Sequence, residues 1–140
     1  MNGSARYWRE IPQRYRLEAA KCDGCGRIAF PPRVLCPGCR GRKFSKHVLA
    51  PEGRLESFTV IRVAPSGFSD LAPYAVGIVT LDDGVKLTAQ VADCDPATLA
   101  VGRRMRIEFR RLRQEGESGI LCYGYKVVPV DRGIGVPAAT

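Results

Sequence analysis

The sequence predicts a mainly β protein: a short N-terminal helix and a metal-stapled ribbon, followed by a five-stranded barrel. Three observations lead there. Four cysteines stand in two CxxC pairs, Cys22–Cys25 and Cys36–Cys39, with ten residues between them. From Arg54 onward, runs of β-forming residues recur between turn signals. The net charge of +8 lies in the first third of the 140-residue chain: residues 1–47 hold eleven Lys and Arg against three Asp and Glu.

The elements follow in order. Trp8, Ile11 and Tyr15 sit at i, i+3 and i+7, which is one apolar face of a helix between Tyr7 and Leu17. Pro12 falls inside that stretch and is expected either to start a second helical turn or to kink the first. Trp8 is a candidate partner anchor, but packing on the body of the chain is the expected fate of this face.

The ribbon runs from about Leu17 to Lys46. Two CxxC knuckles turn four sulfurs inward, the all-thiolate tetrahedral set that Zn²⁺ prefers, with no open position for substrate. The metal ligands are therefore Cys22, Cys25, Cys36 and Cys39, and the role expected of Zn²⁺ is structural. Iron is the alternative metal, since Cys36-Pro-Gly-Cys39 resembles a rubredoxin knuckle. Ile28, Phe30, Val34 and Leu35 are too few to hold thirty residues together. Metal binding, worth about 10–16 kcal/mol in small zinc modules, has to supply the folding energy. Paired disulfides would require an oxidising compartment. The N-terminal MNGSARYWREIPQRYR has no apolar signal segment, and no stretch is long enough to span a membrane, so a cytoplasmic location is expected. Cys94 and Cys122 carry no nucleophile signature, and Cys122 reads as a buried small hydrophobe.

Five strands are expected after the ribbon: Arg54 to Val63, Tyr74 to Leu81, Val85 to Val91, Arg104 to Leu112 and Ile120 to Val128. Asp82-Asp83-Gly84 is a hairpin turn. Asp95 caps a short helical turn with Pro96 behind it. Five strands with a short helix between the third and fourth are what an OB-fold barrel needs. The expected organisation is 1–50 helix and ribbon, 51–130 barrel and 131–140 mobile tail.

On the fourth strand Met105, Ile107 and Phe109 face one way and Arg104, Arg106, Glu108 and Arg110 the other. With Arg103, Arg111 and Arg113 this makes a basic face opposed only by Glu108. Guanidinium groups there suit carboxylates or phosphates, so Arg104, Arg106, Arg110 and Trp8 are the candidate ligand- or partner-binding residues. Single-stranded nucleic acid is the alternative ligand for an OB-fold. The second and third strands, however, offer one aromatic, Tyr74, and one cation, Lys86, which is a poor stacking platform. Independent catalysis is not expected. The single histidine, His47, lacks a partner motif, Asp82 and Asp83 are accounted for by their turn, and no phosphate loop or nucleophile elbow is present.

The ribbon CDGCGRIAFPPRVLCPGC, then GRLESFTVIRVAP, PYAVGIVTLDDGVKLTAQV and LAVGRRMRIEF, in that order and spacing, resembles the DUF35 family over about Tyr7 to Pro129. The resemblance implies a rubredoxin-like zinc ribbon and a C-terminal OB-fold. It also implies a non-catalytic accessory subunit of a thiolase-fold or related acyl-CoA enzyme, which bridges subunits or helps form the acyl-CoA tunnel, with Arg104, Arg106, Arg110 and Trp8 as the candidate CoA- or partner-binding residues. Of the family's functional residues, Cys22, Cys25, Cys36 and Cys39 are those that carry over.

Overall fold

In the computed structural model the described residues are 4–114 and 116–130. The mobile tail expected at 131–140 lies outside them. Two short helices, α1 (Ser4–Arg9) and α2 (Ile11–Tyr15), replace the single helix expected. The break is at Glu10, which adopts φ −93° and ψ 3°, and Pro12 lies in the first turn of α2, where its missing N–H leaves no bond unmade. The break puts the two helices out of phase. Ile11 is half-buried while Trp8 is 75% exposed, so the expected packing of Trp8 on the body does not occur.

The ribbon is a three-stranded antiparallel sheet in the order β2 (Ile28–Ala29), β1 (Glu18–Cys22), β3 (Phe44–Val48). The barrel follows with β4 (Glu52–Ile61), β5 (Tyr74–Leu81), β6 (Lys86–Val91), β7 (Arg104–Gln114) and β8 (Leu121–Pro129), closed in the order β4-β5-β6-β8-β7. All neighbours are antiparallel except β6 and β8, which run parallel and meet at the single pair Val91–Val127. The expected helical turn forms at Pro96–Thr98, where the Asp95 carboxylate accepts from the Ala97 N–H at 2.9 Å.

Alternation along each strand builds the interior. Leu55, Val79, Leu81, Leu87, Val91, Met105 and Val127 are buried, their neighbours in sequence mostly less so. On β7 the expected inward face fades along the strand: Met105 is fully buried, Ile107 half-buried and Phe109 52% exposed. A bulge between Arg111 and Arg113 then takes Leu112 out of register with β8.

Ribbon and barrel share one apolar cluster. Ala19 of β1 and Leu49 after β3 are buried with Leu55, Val79 and Met105, and Leu17, Ile28 and Phe30 pack against them. The turn between β5 and β6 ties the same junction. Asp83 accepts from the Ala50 N–H at 2.9 Å and bonds His47 Nε2 at 3.0 Å, and Asp82 takes the Arg104 guanidinium through two bonds of 2.6 Å. The hairpin alone therefore does not account for these two aspartates. No helix among the described residues is long and apolar enough to cross a membrane.

Candidate metal centre and binding surfaces

The two knuckles are built alike. In the first, Cys22 closes β1, its N–H bonds the Arg27 carbonyl at 2.8 Å, and the Gly26 N–H returns to the Cys22 carbonyl at 2.9 Å. In the second, the Cys36 N–H bonds the Gly41 carbonyl at 2.9 Å and the Arg40 N–H returns to Cys36 at 3.0 Å. A Cβ on Gly41 would stand 3.2 Å from Cys39 Sγ and 3.4 Å from Cys22 Sγ, so a glycine lets the loop close over the sulfurs.

The four Sγ atoms lie within 4.8 Å of one another, with Cys22–Cys39 and Cys25–Cys36 both at 3.5 Å. A tetrahedral ion with metal–sulfur bonds near 2.3 Å needs edges of about 3.8 Å, so the set fits such an ion after small side-chain adjustments. The backbone N–H of Cys39, and after it that of Gly38, point at Cys36 Sγ and draw its thiol down to about 6, toward the thiolate that binds metal. Cys22 and Cys36 are buried, Cys25 and Cys39 exposed. Four cysteines clustered in this way support structural metal binding.

The basic face of β7 is not free. Arg104 pairs with Asp82 and Glu52, Arg106 with Glu108, and Arg110 with Glu108 and Asp93. Arg106 and then Arg110 hold the Glu108 carboxyl down to about 2. Glu52, Asp82 and Asp93 come from other parts of the barrel, which is why the strand alone shows one opposing acid.

Tyr123 and Tyr125 do not share the arginine face. Tyr125 pairs across β7–β8 with Phe109, on the opposite side of the sheet from Arg110 and Gly124, while Tyr123 pairs with Arg111 where the bulge begins and alternation breaks. There Phe109 stacks on Tyr123 with ring centroids 5.3 Å apart and meets Tyr15 of α2 edge-on at 4.8 Å. Tyr125 faces Phe30 of the ribbon at 5.9 Å. The two N-terminal helices meet where the Arg14 guanidinium of α2 lies 4.5 Å from the Tyr7 ring centroid of α1. Where β6 and β8 part, α2, the Phe30–Pro32 loop and both strands line a cleft of about 560 Å³ that includes Arg6, Gln13, Arg14, Gln90 and Tyr125. Nothing local in the sequence points to it, since its walls come from segments far apart.

Residues 9–45 match the ChsH2 rubredoxin-like zinc ribbon domain, and residues 46–110 match the ChsH2 C-terminal OB-fold domain. A DUF35 domain-containing scaffold protein of Methanothermobacter thermautotrophicus is 42% identical over 130 residues, 92% of this chain and 98% of that protein. The chain belongs to the DUF35 family. A second DUF35 domain-containing scaffold protein, from Methanocaldococcus jannaschii, is 37% identical over 90% of both chains. Among solved structures, the Ltp2-ChsH2(DUF35) aldolase aligns with a TM-score of 0.70 at 23% identity, covering 89% of this chain and 92% of that one, which supports the DUF35 fold. The expected fold and the family resemblance both hold, and the cysteines predicted as ligands are the ones brought together.

Proposed function

We propose that this DUF35 protein is a cytoplasmic, non-catalytic scaffold that holds a thiolase-fold or related acyl-CoA enzyme and helps line its acyl-CoA tunnel, with zinc as the ribbon's structural metal. The near full-length match to a relative named as a scaffold protein carries the reading. The name of the structural neighbour, which joins a DUF35 chain to an aldolase, agrees with it. So does the surface: Trp8 stands 75% exposed, and the Tyr15–Phe109–Tyr123 stack presents a half-exposed Phe109. Large exposed aromatics are the side chains that anchor protein interfaces. Arg104, Arg106 and Arg110 take part by exchanging their intrachain carboxylates for those of the enzyme or for CoA phosphates. Replacing Arg104 and Arg106 together with alanine weakens assembly and leaves the metal content unchanged.

The test is purification of the tagged protein from its native host. A thiolase-fold or other acyl-CoA enzyme is expected in fixed ratio, and elemental analysis is expected to give one zinc per chain with no visible iron–thiolate absorption. Recovery of the chain alone, or with nucleic acid released by salt, overturns the scaffold reading.

A further inference from the structure

Lys126 is the one charged residue among the buried side chains of the described structure, at 7% exposed. It sits on β8 directly across from Glu108 of β7, the natural partner in an antiparallel pair. That carboxylate is already held by Arg106 through one oxygen and Arg110 through the other. The next acid, Asp93, gives Oδ2 to Arg110 at 2.6 Å. Among the described residues the Lys126 ammonium thus has no hydrogen-bond acceptor and no ion pair. Burial first, then the charges of Arg110 and Arg111, push its pKa down, and Asp93 opposes them. The stem of Lys126 is what is buried, and its ammonium reaches solvent by the clefts it borders, where an anion can meet a cation that no carboxylate holds.

The side chain borders two adjoining clefts. One, of about 200 Å³, runs between the start of β5 and the segment after β6. The other, of about 460 Å³, lies between the 67–71 loop and a wall of residues 111–114, Gly116 and Glu117, and falls in the size range of small-ligand sites. Arg111 lines the larger cleft with Lys126 and likewise has no carboxylate partner among the described residues, and Ser69 stands on the facing wall. Asp70 and Glu117, both exposed, also line this cleft and oppose an anion there, so a strongly charged group gains more from the two cations than a weakly charged one.

We propose that Lys126 and Arg111 form a binding site for the phosphate group of a small molecule. Two cations on neighbouring strands can hold a tetrahedral dianion from two sides, the ammonium as a point charge and the guanidinium as a fork. A carboxylate would satisfy one of them. The site is separate from the metal ribbon and from the aromatic patch, and it does not rest on the scaffold reading.

The experiment titrates inorganic phosphate, pyrophosphate and acetate, at constant ionic strength, into the metal-loaded full chain. Calorimetry reads affinity and the ¹⁵N resonance of Lys126 Nζ reads location. Saturable binding of phosphate or pyrophosphate is expected, with a shift at Lys126 and none at Lys86. Lys126→Met and Arg111→Ala are each expected to weaken it roughly 10- to 100-fold, the worth of one charge-assisted hydrogen bond, and Lys86→Met to leave it unchanged. Should Lys126→Met fail to fold, the exposed Arg111→Ala keeps the test. Absence of binding at tens of millimolar phosphate, binding indifferent to Arg111→Ala, or acetate bound as well as phosphate each overturns the proposal.

Discussion

Replacing Asp83 with alanine removes the polar link between ribbon and barrel without touching a metal ligand. The Asp83 side chain is 13% exposed and accepts from the Ala50 N–H at 2.9 Å, bonds His47 Nε2 at 3.0 Å, and bonds the Val85 N–H more weakly at 3.3 Å. The two shorter bonds, each to a charged acceptor and partly screened, are together worth about 2–4 kcal/mol. For a chain of this size that lowers the melting temperature by about 10 °C. The assay is thermal and urea denaturation of metal-loaded protein, with metal content measured on the same samples. The pH dependence gives a second readout. Burial raises the Asp83 pKa, but the Ala50 N–H and His47 outweigh it and leave the folded-state value below the ordinary one. A depressed carboxylate contributes stability that is full above the unfolded value, near 3.9, and is lost as pH falls through the folded value. The gap between wild type and Asp83→Ala therefore closes in acid. A double-mutant cycle with His47→Ala assigns the shared part. Asp83→Ala within about 0.5 kcal/mol of wild type, the range of an ordinary surface change, would refute the reasoning.

Three further outcomes follow from particular atoms. A Cβ on Gly53 would lie 2.3 Å from the Thr80 carbonyl oxygen and 2.7 Å from Leu81 Cα, both backbone, so Gly53→Ala is expected to destabilise by about 3 kcal/mol in urea unfolding. Cys36→Ser is expected to abolish metal binding and to collapse β1–β3 in an amide NMR spectrum while the barrel stays largely folded; loss of both together contradicts the two-part organisation. Trp8→Ala is expected to leave monomer stability within about 0.5 kcal/mol of wild type, since the ring buries little. The same change weakens capture of the partner enzyme by about 2 kcal/mol if Trp8 is its anchor, as read by calorimetry.

Local pattern carried much of the architecture. The cysteine spacing is written in consecutive residues, and the barrel strands announce themselves by alternation, so the clustering of the four cysteines and the five barrel strands were legible. What the sequence hid is what the chain assembles from afar. Whether Trp8 is covered depends on a helix break at Glu10. The arginines of β7 look unopposed until Glu52, Asp82 and Asp93 arrive from elsewhere in the barrel. Nothing in the sequence singles out Lys126, whose burial depends on segments that come from elsewhere in the chain. The two-residue strand β2 is too short for any periodicity to register.

The stack of Tyr15, Phe109 and Tyr123 has a bearing on how the protein is made. Tyr15 precedes the ribbon and Tyr123 lies near the start of β8, so no chain that stops short of β8 can display it. Contacts of such long sequence separation form late and slowly. A nascent or truncated chain ending before β8 can hold its metal yet lacks this surface, and a partner that reads the stack recruits finished molecules and ignores unfinished ones.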